Sequence, residues 1–207
     1  MLKQWRARFG GSPAASAASA ASAASADTGD TALIALIAGG DRDAFQALYR
    51  MYFGRLARFL DRMVRNGALI EEIVNDTMLV VWQKAHTFDH TCKVSTWVFA
   101  IAYRQGLKAV NLRDEPVESN FELEAGDARQ EPEQALAQQQ LQQGVGEALK
   151  ALSLEQRVVV TLTYYHDMGY QEIAGTMGCP VNTVKTRMFH ARQRLRVLLS
   201  AHQEEPL

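Results

Sequence analysis

A chain of 207 residues, 47 % hydrophobic and 22 % charged, has room for one large or two small globular domains of ordinary soluble composition. No apolar run approaches the ~18 residues that a bilayer demands, and two cysteines, Cys92 and Cys179, are too few for a disulfide framework. The net charge of −1 conceals two blocks of net +3, over 30–113 and 147–202, around a stretch of net −7 over 114–146. Basic blocks suit a polyanion such as DNA, although a net of +3 is also common on proteins that never meet one.

Met1 to Gly10 holds three basic residues, but alanine and serine come next where a secretory signal has a leucine-rich core. A reduced, cytoplasmic protein is expected. Residues 1–29 are then an extension dominated by an S-A-A repeat between Ser12 and Ala26. Alanine favours helix, but this tract has no apolar stripe with which to dock.

Residues 30–113 read as all helix. Leu33, Ile34, Leu36 and Ile37 make a short apolar turn that Gly39-Gly40 stops, and Asp41 is placed to cap the next helix. Phe45, Leu48, Tyr49, Tyr52, Leu56, Phe59, Leu60 and Met63 recur every three or four positions, the face of a long amphipathic helix ending at Asn66-Gly67. Ile70, Ile73, Val74, Thr77 and Val81 start another face that runs to about Lys84. Residues 85–94 lack a period and read as a loop, after which Ser95 or Thr96 is placed to cap a helix through Trp97, Val98, Ile101, Ala102 and Leu107. His86, His90 and Cys92 share that loop, but their spacing is not that of a closed zinc site and no fourth ligand is evident, so no metal is expected.

Residues 114–133 are acidic, proline-bearing and aperiodic: a flexible linker and the expected site of first proteolytic attack. Residues 134–202 form a second helical domain. Leu136, Leu141, Val145, Leu149 and Leu152 mark its first helix, and Ser153 with Gln156 makes a capping box for the next. The fold class is therefore all-α, two small helical domains joined by a flexible acidic linker.

The strongest local signal is "GYQEIAGTMGCPVNTVKTRMFHARQRL", Gly169 to Leu195. Tyr170, Ile173, Ala174 and Met177 share a face of a short helix, and Gly178-Cys179-Pro180 is a tight turn in which Gly178 is free to take positive φ. Val184, Met188, Ala191 and Leu195 line the inner face of a second helix. This is the helix-turn-helix pattern, centred on Tyr170 to Phe189, whose second helix lies in the major groove. Its outward side carries Asn182, Thr183, Lys185, Thr186, Arg187 and His190, side chains that pair with guanine or adenine edges, and Arg192 continues the charge toward phosphate. Residues 181–200 hold five basic residues and no acid. The late arginines also suit a helix C-terminus without any DNA.

The segment "LSLEQRVVVTLTYYHDMGYQEIAGTMGCPVNTVKTRMFHARQRLR" closely resembles the C-terminal DNA-binding region of bacterial sigma factors. "DRDAFQALYRMY", "IEEIVNDTMLVVWQKAHTF" and "STWVFAIAYRQGLKAV" resemble the N-terminal region of the same family, in its order and spacing. Both regions without a middle domain resemble the small, extracytoplasmic-function type. The resemblance implies a partner, core RNA polymerase, bound through Ile70, Asp76, Leu79 and Trp82. It implies contact with the melted −10 element through Phe88, Lys93, Ser95, Thr96, Arg104 and Lys108, and reading of duplex −35 DNA by the helix-turn-helix. Periodicity alone makes Leu79 and Trp82 ordinary core, and Trp97 and Phe99 read equally as core or as stacking platforms for bases.

The family further implies regulation by an anti-sigma factor, with no catalytic residue, cofactor or small-molecule substrate. No Gly-rich phosphate loop or nucleophile elbow is present. Asn75 stands where the family has glutamine, Met78 where it has phenylalanine, and Asp114-Glu115 where many members are basic. The resemblance implies that the acidic linker threads a basic nucleic-acid channel, while its composition fits a solvated spacer equally well. A stand-alone helix-turn-helix regulator would explain residues 150–200 but not the first half.

Overall fold

The structure, a computed structural model, describes residues 28–64, 66–112 and 144–201. The Ala/Ser extension, the acidic linker, Arg113 and the helix positions Leu136 and Leu141 lie outside the described residues.

Helix α1 spans 28–38 and buries Ile34 and Ile37. Gly40, at φ +87°, reverses the chain, and Asp41 Oδ1 accepts from the Asp43 and Ala44 amides at 2.9 Å each. That cap starts α2, Arg42–Val64, as the sequence implies. Leu48, Tyr52, Leu56, Phe59 and Leu60 are fully buried along its inner face. The Tyr52 hydroxyl donates to the buried Asp30 carboxylate of α1 at 2.5 Å. Burial, reinforced by that carboxylate, holds the Tyr52 phenol protonated well above its ordinary range.

Helix α3, Gly67–Lys84, begins three residues before its apolar face because Asn66 accepts from the Ala68 amide and caps it. A 3-10 turn, Ala85–Thr87, leads into the loop. Helix α4, Val94–Asn111, starts earlier than the sequence suggests: Lys93 is its N-cap and makes no side-chain cap bond, so Ser95 and Thr96 lie inside the first turn. At Gly106 a Cβ would stand 2.9 Å from Met63 Sδ, and the absence of a side chain lets α4 cross α2 closely.

The second half holds α5 (144–150), α6 (Leu154–Tyr165), α7 (Tyr170–Met177) and α8 (Val181–Ala201). The Ser153–Gln156 capping box forms as expected. Val184, Met188, Ala191 and Leu195 are buried on α8, and Ile173 and Ala174 on α7. Gly178 adopts φ +63° at the end of α7, where a Cβ would meet no atom within 4 Å. Gly178→Ala therefore isolates the backbone cost of a left-handed residue, about 1–2 kcal/mol. A thermal melt should show the midpoint several degrees lower, about 4–8 °C per kcal/mol for a domain this small.

Helices α2, α3 and α4 pack on one another, as do α6, α7 and α8. The halves also meet: α2 lies on α6 and α4 on α7, and one contiguous apolar cluster runs through both. Nothing in the local sequence pattern foretells this seam.

Candidate nucleic-acid interface

The outward row of α8 carries Asn182, Lys185, Thr186, His190 and Arg192, all exposed, because the i, i+3, i+4 rhythm that buries Val184 and Met188 turns the intervening positions to solvent. Thr186 Oγ1 is occupied by the Asn182 carbonyl at 3.0 Å. Arg192 Nη2 donates to the Tyr164 hydroxyl of α6 at 3.0 Å. Thr183 and Arg187 are half-buried. Arg187 bends back to Cys179 Sγ at 3.7 Å and lies near enough to Tyr103 of α4 to act on its phenol. The net effect at Tyr103 is a raised pKa, chiefly from burial. Phe189, inside the helix-turn-helix span but not among the singled-out side chains, is 58 % exposed beside His190.

On α4 the expected −10 residues divide. Arg104 and Lys108 are exposed and, with Lys84 of α3, border a groove floored by Trp97 and Ile101. Sequence reasoning misses Lys84. Positions 97, 101, 104 and 108 form one helical stripe that is legible, whereas its approach to Lys84 depends on how α3 packs on α4. Phe88 is buried, its ring 5.4 Å from Trp97 and 4.9 Å from His90. Ser95 is half-buried. Thr96 is 4 % exposed beneath α7, with Cγ2 3.7 Å from the Cβ position of Gly175. Lys93 Nζ is paired with Glu172 Oε1 at 2.8 Å, while Glu172 Oε2 accepts from the Gly169 amide at 2.7 Å and caps α7. In this arrangement Thr96 is covered by the second half of the chain and reaches a nucleic acid only if the halves part, while Lys93, still partly exposed, is tied to that half by its ion pair.

A second groove runs between α2 and α3, lined by Phe45, Tyr49, Asn75, Leu79 and Trp82. Leu79 is 52 % exposed, unusual for leucine on a helix with an available core, and Asp76 is exposed beside it. Trp82 is half-buried, its ring edge-on to Phe45 at 5.2 Å. Asn75 accepts from the Tyr49 hydroxyl at 2.8 Å, and Met78 is buried, so both family departures are accommodated within the groove wall. Ile70 is corrected: at 1 % exposure it belongs to the core and supports the groove from beneath without reaching a partner.

No three His, Cys, Asp or Glu side chains among the described residues converge as a metal site would require, and no described helix is long and apolar enough to cross a membrane.

Comparison with known proteins agrees with this layout. The family model for sigma-70 region 2 matches residues 48–114, and that for sigma-70 region 4 matches residues 142–195, together more than half of the chain. The ECF RNA polymerase sigma factor RpoE of Cereibacter sphaeroides is 29 % identical over 161 residues, covering 77 % of this chain and 88 % of that protein. Two solved structures share the fold. CnrH in complex with the cytosolic domain of CnrY has a TM-score of 0.64 at 24 % identity, over 84 % of this chain and 98 % of that one. The sigma factor RpoE in complex with the anti-sigma factor NepR, from Bartonella quintana, has 0.62 at 23 %, over 75 % and 96 %. With both regions matched in order, the chain belongs to the sigma-70 family, as a sigma factor of the extracytoplasmic-function type.

Proposed function

We propose that this chain is the promoter-recognising subunit of a bacterial RNA polymerase holoenzyme. The observation that carries the reading is the pairing, on one chain, of a helix-turn-helix bearing a polar, basic outward row with a separate apolar groove around exposed Leu79. The helix-turn-helix, α7 and α8, reads duplex −35 DNA through Asn182, Thr183, Lys185, Thr186, Arg187 and His190, with Arg192 on phosphate. The stripe of α4 with Lys84 holds the melted −10 strand through Arg104 and Lys108, with buried Phe88 backing Trp97 and with Lys93, Ser95 and Thr96 joining when the halves part. The α2–α3 groove docks core polymerase through Asp76, Leu79 and Trp82. The segments 30–113 and 134–202 are the two working units, with 114–133 as their linker.

The chain works in the cytoplasm, without cofactor or small-molecule substrate, and performs no catalysis by itself. Its partners are core polymerase, promoter DNA and an anti-sigma factor. The structural relative from Bartonella quintana is in complex with an anti-sigma factor.

Binding to core polymerase in the absence of DNA tests the reading, since a stand-alone regulator does not need that contact. Leu79→Ala and Asp76→Ala should each weaken core binding by about tenfold, the loss of one well-placed interface anchor. Circular dichroism should be unchanged, because both side chains are exposed. Full core affinity in both variants removes this groove from the polymerase interface, and an unfolded Leu79→Ala chain returns that leucine to the core.

A further inference from the structure

The seam between the two halves contains a histidine that no nucleic-acid or polymerase contact requires. His166 is the C-cap of α6 and is followed by Asp167, which takes a left-handed φ of +51°. The imidazole lies against two rings of the first half, Phe59 of α2 at 6.2 Å and Phe99 of α4 at 4.6 Å between centroids. Its Nε2 is buried with no hydrogen-bond partner. The charged groups bearing on it are three guanidinium groups of α2, Arg55, Arg58 and Arg62. Arg55 lies over the Phe99 ring at 5.6 Å, and Arg62 covers Tyr165, the neighbour of His166, at 3.7 Å. The α4 helix presents the Phe99 ring, and Asp167 is next in the chain.

A neutral imidazole fits this place as an aromatic surface between two phenylalanines. A protonated one would add a buried cation to a cluster of three, with an N–H that finds no acceptor. We propose that His166 is a proton-sensitive latch: uncharged it lets the two halves close on each other, and protonated it parts them. Parting releases Lys93 from Glu172, uncovers Thr96 from beneath α7, and frees half-buried Arg187 from the neighbourhood of Tyr103. That these side chains then engage a promoter rests on the proposed function. The opening itself does not.

Linkage gives the direction of the effect. Burial first, then the three arginines, lower His166 from 6.5 to about 3 in the closed form. In the parted form the ring regains water and its ordinary value. Closure is therefore fully favoured above about pH 6.5 and is lost as the pH falls through and below it. Between pH 7.5 and pH 5.5 the closed-to-open ratio should fall about tenfold.

Single-molecule energy transfer on the full chain measures that ratio. Dyes are carried at Gln46→Cys and Gln193→Cys, two exposed positions in opposite halves, in a Cys92→Ser, Cys179→Ser background. The labelled chain should shift toward the open population by about tenfold on going to pH 5.5. His166→Phe, which keeps the ring and the other four of the five histidines, should stay closed at both values. His166→Arg should be open at both. A parent chain with the same population at both pH values, a His166→Phe chain that opens as its parent does, or a His166→Arg chain that stays closed overturns the latch. Promoter-duplex affinity, measured on the same samples, separates the two ideas. Parting without a gain in affinity keeps the latch and counts against the functional reading.

Discussion

Arg187→Ala should weaken holoenzyme binding to the −35 element by about 1–3 kcal/mol, roughly five- to 150-fold, and relax the preference at one or two base pairs. The guanidinium projects from the second turn of α8, where a recognition helix meets base edges. Its contact with Cys179 Sγ is a weak one at 3.7 Å, so releasing it toward a guanine costs little. Lys185→Ala should act in the same direction, from a solvent-facing position. Arg192→Ala should differ in kind: a lost phosphate contact weakens all sequences alike and lowers the salt slope by about one. Arg192 must also leave Tyr164, which makes its net effect the smallest of the three. Binding to promoter variants at two salt concentrations, with a melt of each mutant, separates these cases. If Lys185 and Arg187 can both be removed without loss of affinity or preference, α8 does not read the groove.

Local chemistry makes much of this legible. Period-3.6 patterning gives the inner faces of α2, α3 and α8, Asp41 and Ser153 cap where short polar side chains precede an apolar run, and Gly178 turns because glycine tolerates positive φ. The start of α4 lies about two residues earlier than its sequence suggests, since a serine and a threonine near an apolar run look like caps. The structure places Lys93 there, with no side-chain bond at all. The contact between the halves is not legible. The Lys93–Glu172 pair joins residues on either side of a long linker, and a charged residue carries no local mark of its partner. Thr96 shows the same limit from the other side, whereas the burial of Ile70 follows from its place on the apolar face of α3. A position on a helix face identifies a neighbour in sequence, whereas burial depends on which distant helix covers it.

Phe99→Ala should strongly destabilise the N-terminal half, costing about 3–5 kcal/mol. Sequence alone leaves this ring undecided between core and base-stacking platform, and the two roles predict opposite results. The ring is fully buried, with its centroid 5.3 Å from Phe59 and 4.6 Å from His166. Removing it leaves a cavity that helices α2 and α4 cannot close, because Gly106 already brings them into tight contact farther along. The same cavity loosens the seam under His166, so the linker should be cut faster by a limiting protease. Val184→Ala offers the contrast: it is equally buried, on the inner face of α8, but loses two methyl groups in the other half and should cost roughly 2 kcal/mol. Urea unfolding distinguishes them. The described tryptophans, Trp82 and Trp97, both lie in the N-terminal half, so their fluorescence tracks that half while circular dichroism tracks the whole chain. Phe99→Ala should move the fluorescence transition to lower urea more than Val184→Ala does. A cost below about 1 kcal/mol, accompanied by lost promoter opening, would identify Phe99 as a surface for unstacked bases and contradict its place in the core.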